Sequence, residues 1–546
     1  YSGRGVYYNL GSNTGLRHSF IDSNNIINGQ TYYYAVVSYD HGDDSLGIAP
    51  SECSKTITLN PETNEVILDL NTKQIIPRVP TAGYVPGNIN DNYVEHVNGV
   101  ATGTIIIEVI DPRAIEDANM FEVSFMDSPT SYSVKDMKTV ADELVAKLDQ
   151  FVRLDYGNID STSFSLSDLN GINTYDSGID YELIPQSGKI RAIPGGALLD
   201  GVTYLASYMY YGVVASNLLN MEESNPVFDG LKIYAQDQIL ALDETQMEWS
   251  AGSPTNWEPQ VKPFNNIGTK MYPADYEIRF FDDIADSSAR PNYGYIKAKF
   301  QVWETTAGLV PEQRKVIILE LPPEDSLWTP GDRAVILQGD ETSSTSWEFT
   351  FLEPAEDGIP PNSGDIYYIA TTRPFTEGDK YQFTTSASTI NNEQAMNELD
   401  KISVVPNPYV VTNVLEPLDR QNPRDRGPRR VYFNHLPKDC IIRIYTITGE
   451  LVRTLAHHSS MDDGKEFWDL TTEDNFPISY GIYLYHVDAE LNGFHPVNEI
   501  KGIEEIKNKY LIPLKKAFPD LERRNNLVIG GAFRDKVFVS FISHLT

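Results

Sequence analysis

Apolar residues in this 546-residue chain recur mainly at every second position, in short runs interrupted by Gly, Pro, Asn and Asp. In "TYYYAVVSYD", Tyr32, Tyr34, Val36 and Ser38 alternate with Tyr33, Ala35, Val37 and Tyr39, so a strand here has two faces of different character. An Asn-Gly turn precedes it, and an acidic loop and another strand follow. The same pattern predicts strands at "GTIIIEVIDP" (Gly103 to Pro112) and "MFEVSFMD" (Met120 to Asp127), read as hairpin partners. Further strands are predicted at "YELIPQSGKIRAIP", "VTYLASYMYYGVVAS", "YEIRFFDD", "YGYIKAKFQVWE", "KVIILELP", "WEFTFLEP" and "DIYYIATT". One stretch reads differently. In "SVKDMKTVADELVAKLDQFVRL" (Ser133 to Leu154), Val140, Leu144, Leu148 and Val152 recur every fourth residue with charges between them, which predicts a helix.

These elements imply a mainly β fold. We expect several β-sandwich domains in tandem, immunoglobulin- or fibronectin III-like, with one or two helices in the middle region and a short α/β tail. Length alone argues for three or four domains. The expected divisions are a partial sandwich at 1–60, a Pro-containing linker at 61–98, a central mostly-β region at 99–395, a terminal module at 396–490 and a basic tail at 491–546. The first segment resembles the second half of a fibronectin type III domain, including the Tyr-rich strand that ends in Tyr39-Asp40. A sandwich of that kind needs about seven strands, and only three or four fit before Asn60. Pro77, Pro80 and Pro86 lack backbone donors, which predicts a connector there.

Charge narrows the partners. Lys plus Arg number 43 against 77 Asp plus Glu, a net charge of −34. Such a surface repels nucleic acid and anionic membranes. No apolar run reaches the roughly 18 residues that a membrane-spanning helix needs. The opening "YSGRGVYYNLGSN" lacks the basic start and apolar stretch of a signal peptide, so the protein is either cytosolic or begins further upstream. Cys53 and Cys440 fall in different predicted domains, too few for a disulfide framework or a Cys-rich zinc site.

The strand set near the end carries the most specific signal. "VVPNPYV", "RRVYFNHLPKDCIIRIYTITGELVRTL", "GKEFWDL" and "SYGIYLYHV" contain Pro406-Asn407-Pro408, a Leu436-Pro437 turn, a hairpin at Thr448-Gly449, a candidate core plug in Trp468 and a strand opening at Gly481. Gly449 can adopt the positive φ of a tight hairpin, and Gly481 is expected to let the last strand approach its neighbour closely. On the strand before the turn, Ile442, Ile444 and Thr446 share one face and Arg443, Tyr445 and Ile447 the other, and neither face is plainly the core one. This ordered set resembles the C-terminal module of proteins exported by the type IX secretion system of Bacteroidetes-type bacteria. It is similar as well to the immunoglobulin-like domain of flagellar hook-capping proteins. The resemblance implies a folded address read by export machinery, on a large protein of the cell surface or the extracellular space. A plain immunoglobulin-like spacer is the alternative. The chain departs from the family pattern by continuing past Val487 to Thr546. From Lys501 onward it holds nine Lys or Arg against five Asp or Glu, with a helix-like stretch ("EIKGIEEIKNKYLIPLKKAF") and a strand-like one ("KVFVSFISHL").

Candidate chemistry is sparse. No nucleophile elbow, zincin, Walker or dinucleotide-binding motif occurs. His457-His458 is the one adjacent histidine pair, and neighbours on a strand point to opposite faces. Asp40, Asp43 and Asp44, and separately Asp282, Asp283 and Asp286, cluster in loops where hard oxygen ligands would suit Ca²⁺; solvated turns are the alternative. "DLNGINTYDSGID" has the wrong spacing for a calcium loop. Paired carboxylates for glycoside hydrolysis are not distinguishable among 77 acidic residues. Trp249, Trp257, Trp303, Trp328 and Trp347 offer either a sugar-stacking row or sandwich cores. The sequence thus points to a non-catalytic surface or structural protein with no required cofactor. It would be exported through its terminal module, and a truncated sandwich at 1–60 could be completed by strand addition between copies, with the tail as donor. Two rivals are the stalk and export region of a secreted hydrolase and a carbohydrate-binding module.

Overall fold

Strand follows strand through nearly the whole described chain. The computed structural model describes most of residues 20–489 and short strands at 2–3, 6–7 and 537–542. The main stretches outside it are 8–19, 61–65, 265–270, 290–294, 339–343, 410–428 and 490–536. The described strands divide between two compact units. One spans Asn88–Ser386, and the other combines Phe20–Gly87 with Ala387–Thr546.

In the first unit the largest sheet is built on two long antiparallel strands, Ser131–Val145 and Thr203–Ser216. Met120–Met126 and Lys380–Ser386 extend it on one side, and Ser165–Ser167 with Thr174–Tyr175 on the other. The stretch predicted as a helix is therefore mostly strand. Val140 and Leu144 lie on this strand, and residues four apart share a face on a strand as well as on a helix; Leu148 lies beyond its end, and Val152 is on a separate short strand, Val152–Arg153. All four do pack together, in the core with Tyr204, Tyr208 and Ile190. The partner strand, remote in sequence, decides between the two periods.

The expected hairpin between the Gly103 and Met120 runs is also corrected. Thr104–Val109 pairs instead with Leu231–Gln236, and Met120–Met126 pairs with Ser131–Val145 and Lys380–Ser386. Phe121, Val123 and Phe125 meet Leu231, Ile233 and Ala235 in one core, all essentially inaccessible. A third core in this unit lies between two four-stranded sheets, one containing Arg333–Gln338 and Ser344–Leu352, the other Tyr276–Phe280 and Phe300–Glu304. It is dominated by aromatic rings in edge-to-face contact, such as Phe300 with Trp328 at 5.0 Å and Phe280 with Phe351 at 5.5 Å. Each fully buried ring of this kind is worth roughly 1.5–3 kcal/mol from burial.

In the second unit, a three-stranded sheet (Ser403–Val405, Val431–Asn434, Glu466–Trp468) and a four-stranded sheet share one core. The four strands run in the order Leu451–His458, Asp439–Thr446, Gly481–Asp488, Val537–Ile542. The tail strand thus pairs with Gly481–Asp488 of its own chain, so in place of the proposed donation to 1–60 it extends the module's own sheet as the outer strand. The helix-like Glu499 to Phe518 lies outside the described residues. Tyr32–Ala35 pairs with Thr72–Ile75, and Ile57–Leu59 with Val66–Leu68. The segment expected as a linker therefore contributes strands.

Its Pro80–Gly83 stretch is also bonded into the terminal module. Ala82 N–H donates to the Leu436 carbonyl (3.0 Å), Gly464 N–H to Val79 (2.7 Å), and Ala82 lies in the core. Prolines suit this strap because the donors it needs come from Thr81, Ala82 and Gly83. Gly83, at φ +78°, passes so close to the helix Asn392–Glu398 that a Cβ would stand 2.4 Å from the Asn391 carbonyl oxygen. That helix is the one α-helix among the described residues, and the Asn391 side chain caps it by accepting from Glu393 and Gln394 N–H.

Candidate functional sites

The residues singled out for the terminal module occupy structural positions around its core. Trp468 is 2% exposed, donates its Nε1–H to the Thr471 carbonyl (2.8 Å) and meets Tyr483 edge-to-face at 5.6 Å. Gly449 sits at φ +90° in the hairpin turn, where Gly449 N–H donates to Thr446 and Thr446 N–H to Glu450. Buried Cys440, Ile442 and Ile444 show that the even-numbered face of Asp439–Thr446 is the core one. Leu436, fully buried, anchors the turn before Pro437. Pro406 and Asn407 follow the strand Ser403–Val405, while Pro408 lies outside the described residues. Gly481 has a different role from the one expected. A Cβ there would meet nothing within 4 Å, so close approach is not what its backbone supplies.

The loop at Asp40 and Asp43 is organised as a turn, while Asp286 of the second group lies on the short strand Asp286–Ser287. Asp40 accepts from Gly42 N–H and the Ser51 hydroxyl, and Asp43 from Ser45 and Leu46 N–H. Asp44 lies outside the described residues. Asp282 accepts from Ser363 N–H at 3.3 Å, Asp283 is exposed, and Asp286 pairs with Lys315 at 2.6 Å. Among the described residues no three His, Cys, Asp or Glu side chains converge as a metal site. His457 is buried against Glu466 and His458 is exposed against Asp439, on opposite faces as strand geometry requires. The tryptophan row does not assemble either. Trp257, Trp328 and Trp347 are buried in the aromatic core, Trp249 packs against it, and Trp303 lies under the Arg279 guanidinium.

A site that sequence reading missed lies where the long strand Ser131–Val145 bulges. Asp136 pairs with Tyr210, and the next pair is Val140 with Tyr208, so residues 137–139 face a single partner residue. The displaced backbone helps to frame a cavity of about 330 Å³, walled also by Ala114–Glu116, Asn119, Asp155, Tyr156 and Asp229. Asn119 and Asp136 are buried in its wall, and Lys138 and Asp155 are exposed. Asp136 accepts from Asn119 Nδ2 (2.9 Å) and Lys138 N–H (2.8 Å). Asp142 accepts from the Tyr208 hydroxyl (2.5 Å) and Asp155 N–H (2.9 Å). Asp229 accepts from the Tyr210 hydroxyl (2.9 Å), and the Tyr210 ring stacks on Tyr156 at 4.0 Å.

Lys138, paired with Glu116, is the cation in the lining. Burial pushes the Asp229 carboxyl up, and the Asp142 charge pushes Asp155 up. The first shift is mainly a cost of desolvation, and the second comes from like charge close by. The signal was present in the sequence. On a strand Asp136 and Asp142 fall on the same face as Val134 and Leu144, an apolar face where a carboxylate needs a reason. Read as a helix, the stretch hid it.

No family model matches the chain, and no curated protein matches it. Among solved structures it is similar to PorZ, described as an essential bacterial surface component of the type-IX secretion system of human oral-microbiomic Porphyromonas gingivalis. The likeness covers 74% of this chain and 56% of that one, at 11% identity and a TM-score of 0.15. A likeness of that size carries no argument, and the fold rests on the strand pairing itself.

Proposed function

We propose that this chain is a non-catalytic bacterial surface protein, exported through the two-sheet module that begins near residue 396. The observation that carries this reading is the module's construction. The resemblance elements Leu436-Pro437, Thr448-Gly449 and Trp468 sit at a turn, a hairpin and the core of one sandwich. A folded address needs such a unit, because machinery that recognises shape requires side chains held by packing rather than by local sequence. The middle unit then supplies the working surface outside the cell.

The test is made in a bacterium that has a type IX system, on the full chain and on a chain ending at Ser386. The full chain should become accessible to protease added to intact cells, and the shortened chain should stay protected. Equal surface exposure of the two would remove the address from the terminal module.

A further inference from the structure

A different cavity, of about 490 Å³, opens between the loop 96–101 and the turn Thr306–Leu309, wholly within the Asn88–Ser386 unit. Its volume falls in the ordinary range of small-ligand pockets, roughly 300–1,000 Å³. None of its described lining residues is Asp or Glu, although the chain carries 77 of them. Arg373 supplies its buried charge. Thr102 fixes that residue's backbone twice, its Oγ1 accepting from Arg373 N–H (2.7 Å) and its own N–H donating to the Arg373 carbonyl (3.1 Å). The Arg373 side chain is 8% exposed. Nε donates to the Val100 carbonyl (2.6 Å), and Nη1 donates to Asp275 (2.6 Å) and to Thr371. Nη2 differs. It has no hydrogen-bond partner among the described residues, yet it is not sealed off from solvent. A guanidinium has five N–H donors, so the two on Nη2 are what Arg373 presents to the cavity. Two acids close by are engaged outside the wall. Asp275 holds Nη1, and the buried Asp379 accepts from Ala101 N–H (2.8 Å), Thr376 N–H (2.8 Å) and His96 Nε2 (3.2 Å). Val97, Val100 and Leu309 add apolar wall.

We propose that this cavity binds a carboxylate carried on a small apolar group. The carboxylate accepts from the Arg373 Nη2 donors, and the apolar group lies on the valine and leucine wall. Charge-assisted bonds of this kind are about twice as strong as neutral ones, and a partly buried pair is screened much less than an exposed one. The acidic surface elsewhere acts weakly at this site, because exposed charges more than about 10 Å away are largely screened at 0.1 M salt. A dianion such as phosphate fits less well, since the single guanidinium is already paired with Asp275. The inference does not depend on the export reading, since it concerns the middle unit alone.

Two sources share this chemistry, a free small acid and the C-terminal carboxylate of a peptide. Isothermal titration of the full chain with 3-methylbutanoate, the tripeptide Gly-Ala-Val and the amide of each separates them. At least one acid should bind saturably with a Kd of about 1 mM or tighter, and its amide should bind about tenfold more weakly or not at all. The acid that binds more tightly assigns the source. Ala307, exposed in the lining, lets the local charge be changed without touching the Arg373 contacts. Ala307→Lys should tighten acid binding about twofold or more, and Ala307→Asp should weaken it by a similar factor. Misfolding cannot produce opposite shifts at one position. Arg373→Lys keeps a cation for Asp275 but removes Nη2, and should weaken acid binding about tenfold or more. If that variant does not fold, the Ala307 pair decides. Four results would each overturn the proposal: no saturable binding by either acid, equal affinity for acid and amide, shifts in the same direction from Ala307→Lys and Ala307→Asp, or undiminished binding by folded Arg373→Lys.

Discussion

The two thiols show how far identical residues are separated by their surroundings. Cys53 is exposed, and Ser38 N–H donates to its Sγ at 3.2 Å, which lowers its pKa. Cys440 is buried in the terminal core, where burial foremost, with help from nearby carboxylates, pushes its thiol up to about 12. Since the thiolate is the reacting form, one equivalent of a maleimide should add rapidly at Cys53 in the native protein. Cys440 should react only on unfolding. Peptide mass mapping after a short pulse checks this, and rapid labelling of Cys440 would place it outside the core. From the sequence the two were legible only as distant and few. Their reactivity depends on which strand face turned inward, and the alternation around Ile442 left that open.

Among the elements, the strap Pro80–Gly83 and the helix Asn392–Glu398 are tied through one carboxylate. Glu398 accepts from Gly83 N–H (2.8 Å), Lys401 Nζ (3.0 Å) and Gln394 Nε2 (3.2 Å), with His435 Nε2 at 3.4 Å. Burial alone would push this carboxyl up, but the donors outweigh it and hold it at about 2, below the ordinary 4.5 of a glutamate. A carboxyl depressed on folding stabilises the folded state while it is ionised in both states. That contribution is complete above about pH 4.5 and is lost as pH falls from there through about 2. Glu398→Gln should therefore lower Tm at neutral pH, and the gap to wild type should close progressively below about pH 4.5. Thermal unfolding followed by circular dichroism across that range is the check. A gap that stays constant would mean the carboxylate charge contributes nothing. Nothing in the proline pattern signalled this strap, because its donors depend on Leu436 and Met461, hundreds of residues away in the chain.

For the whole molecule, the division into two units carries a consequence for stability. Trp468 belongs to a core made entirely from the second unit, and the aromatic core around Trp347 belongs entirely to the first. Trp468→Ala should cost about 3–5 kcal/mol, a large share of the stability of a single domain. Hydrogen exchange should then show lost protection in Asp439–Thr446 and Gly481–Asp488, while Ser344–Leu352 keeps its own. Equal loss in both units would show that they unfold together. The sequence offered Trp468, on the strand Glu466–Trp468, as a core plug, and left Trp257, Trp328 and Trp347 open between sandwich cores and a sugar-stacking row. A tryptophan in a strand is apolar on either face, and only the opposing sheet decides which face is covered.

By itself, the sequence determined that the chain is mainly β, where most strands lie, and that Val140, Leu144, Leu148 and Val152 go to one core. Those follow from side-chain alternation and turn chemistry, which act within a few residues. Tertiary structure decided that Val140 and Leu144 belong to a strand, because periods of two and four coincide and only the distant partner Thr203–Ser216 separates them. It also decided that Gly103–Pro112 bypasses its neighbour in the chain and that the tail strand extends the module's own sheet. The bulge beside the cavity that Asp136, Asp142 and Asp229 line comes from unequal register between two long strands. Register is a property of the pair, and neither strand's sequence contains it.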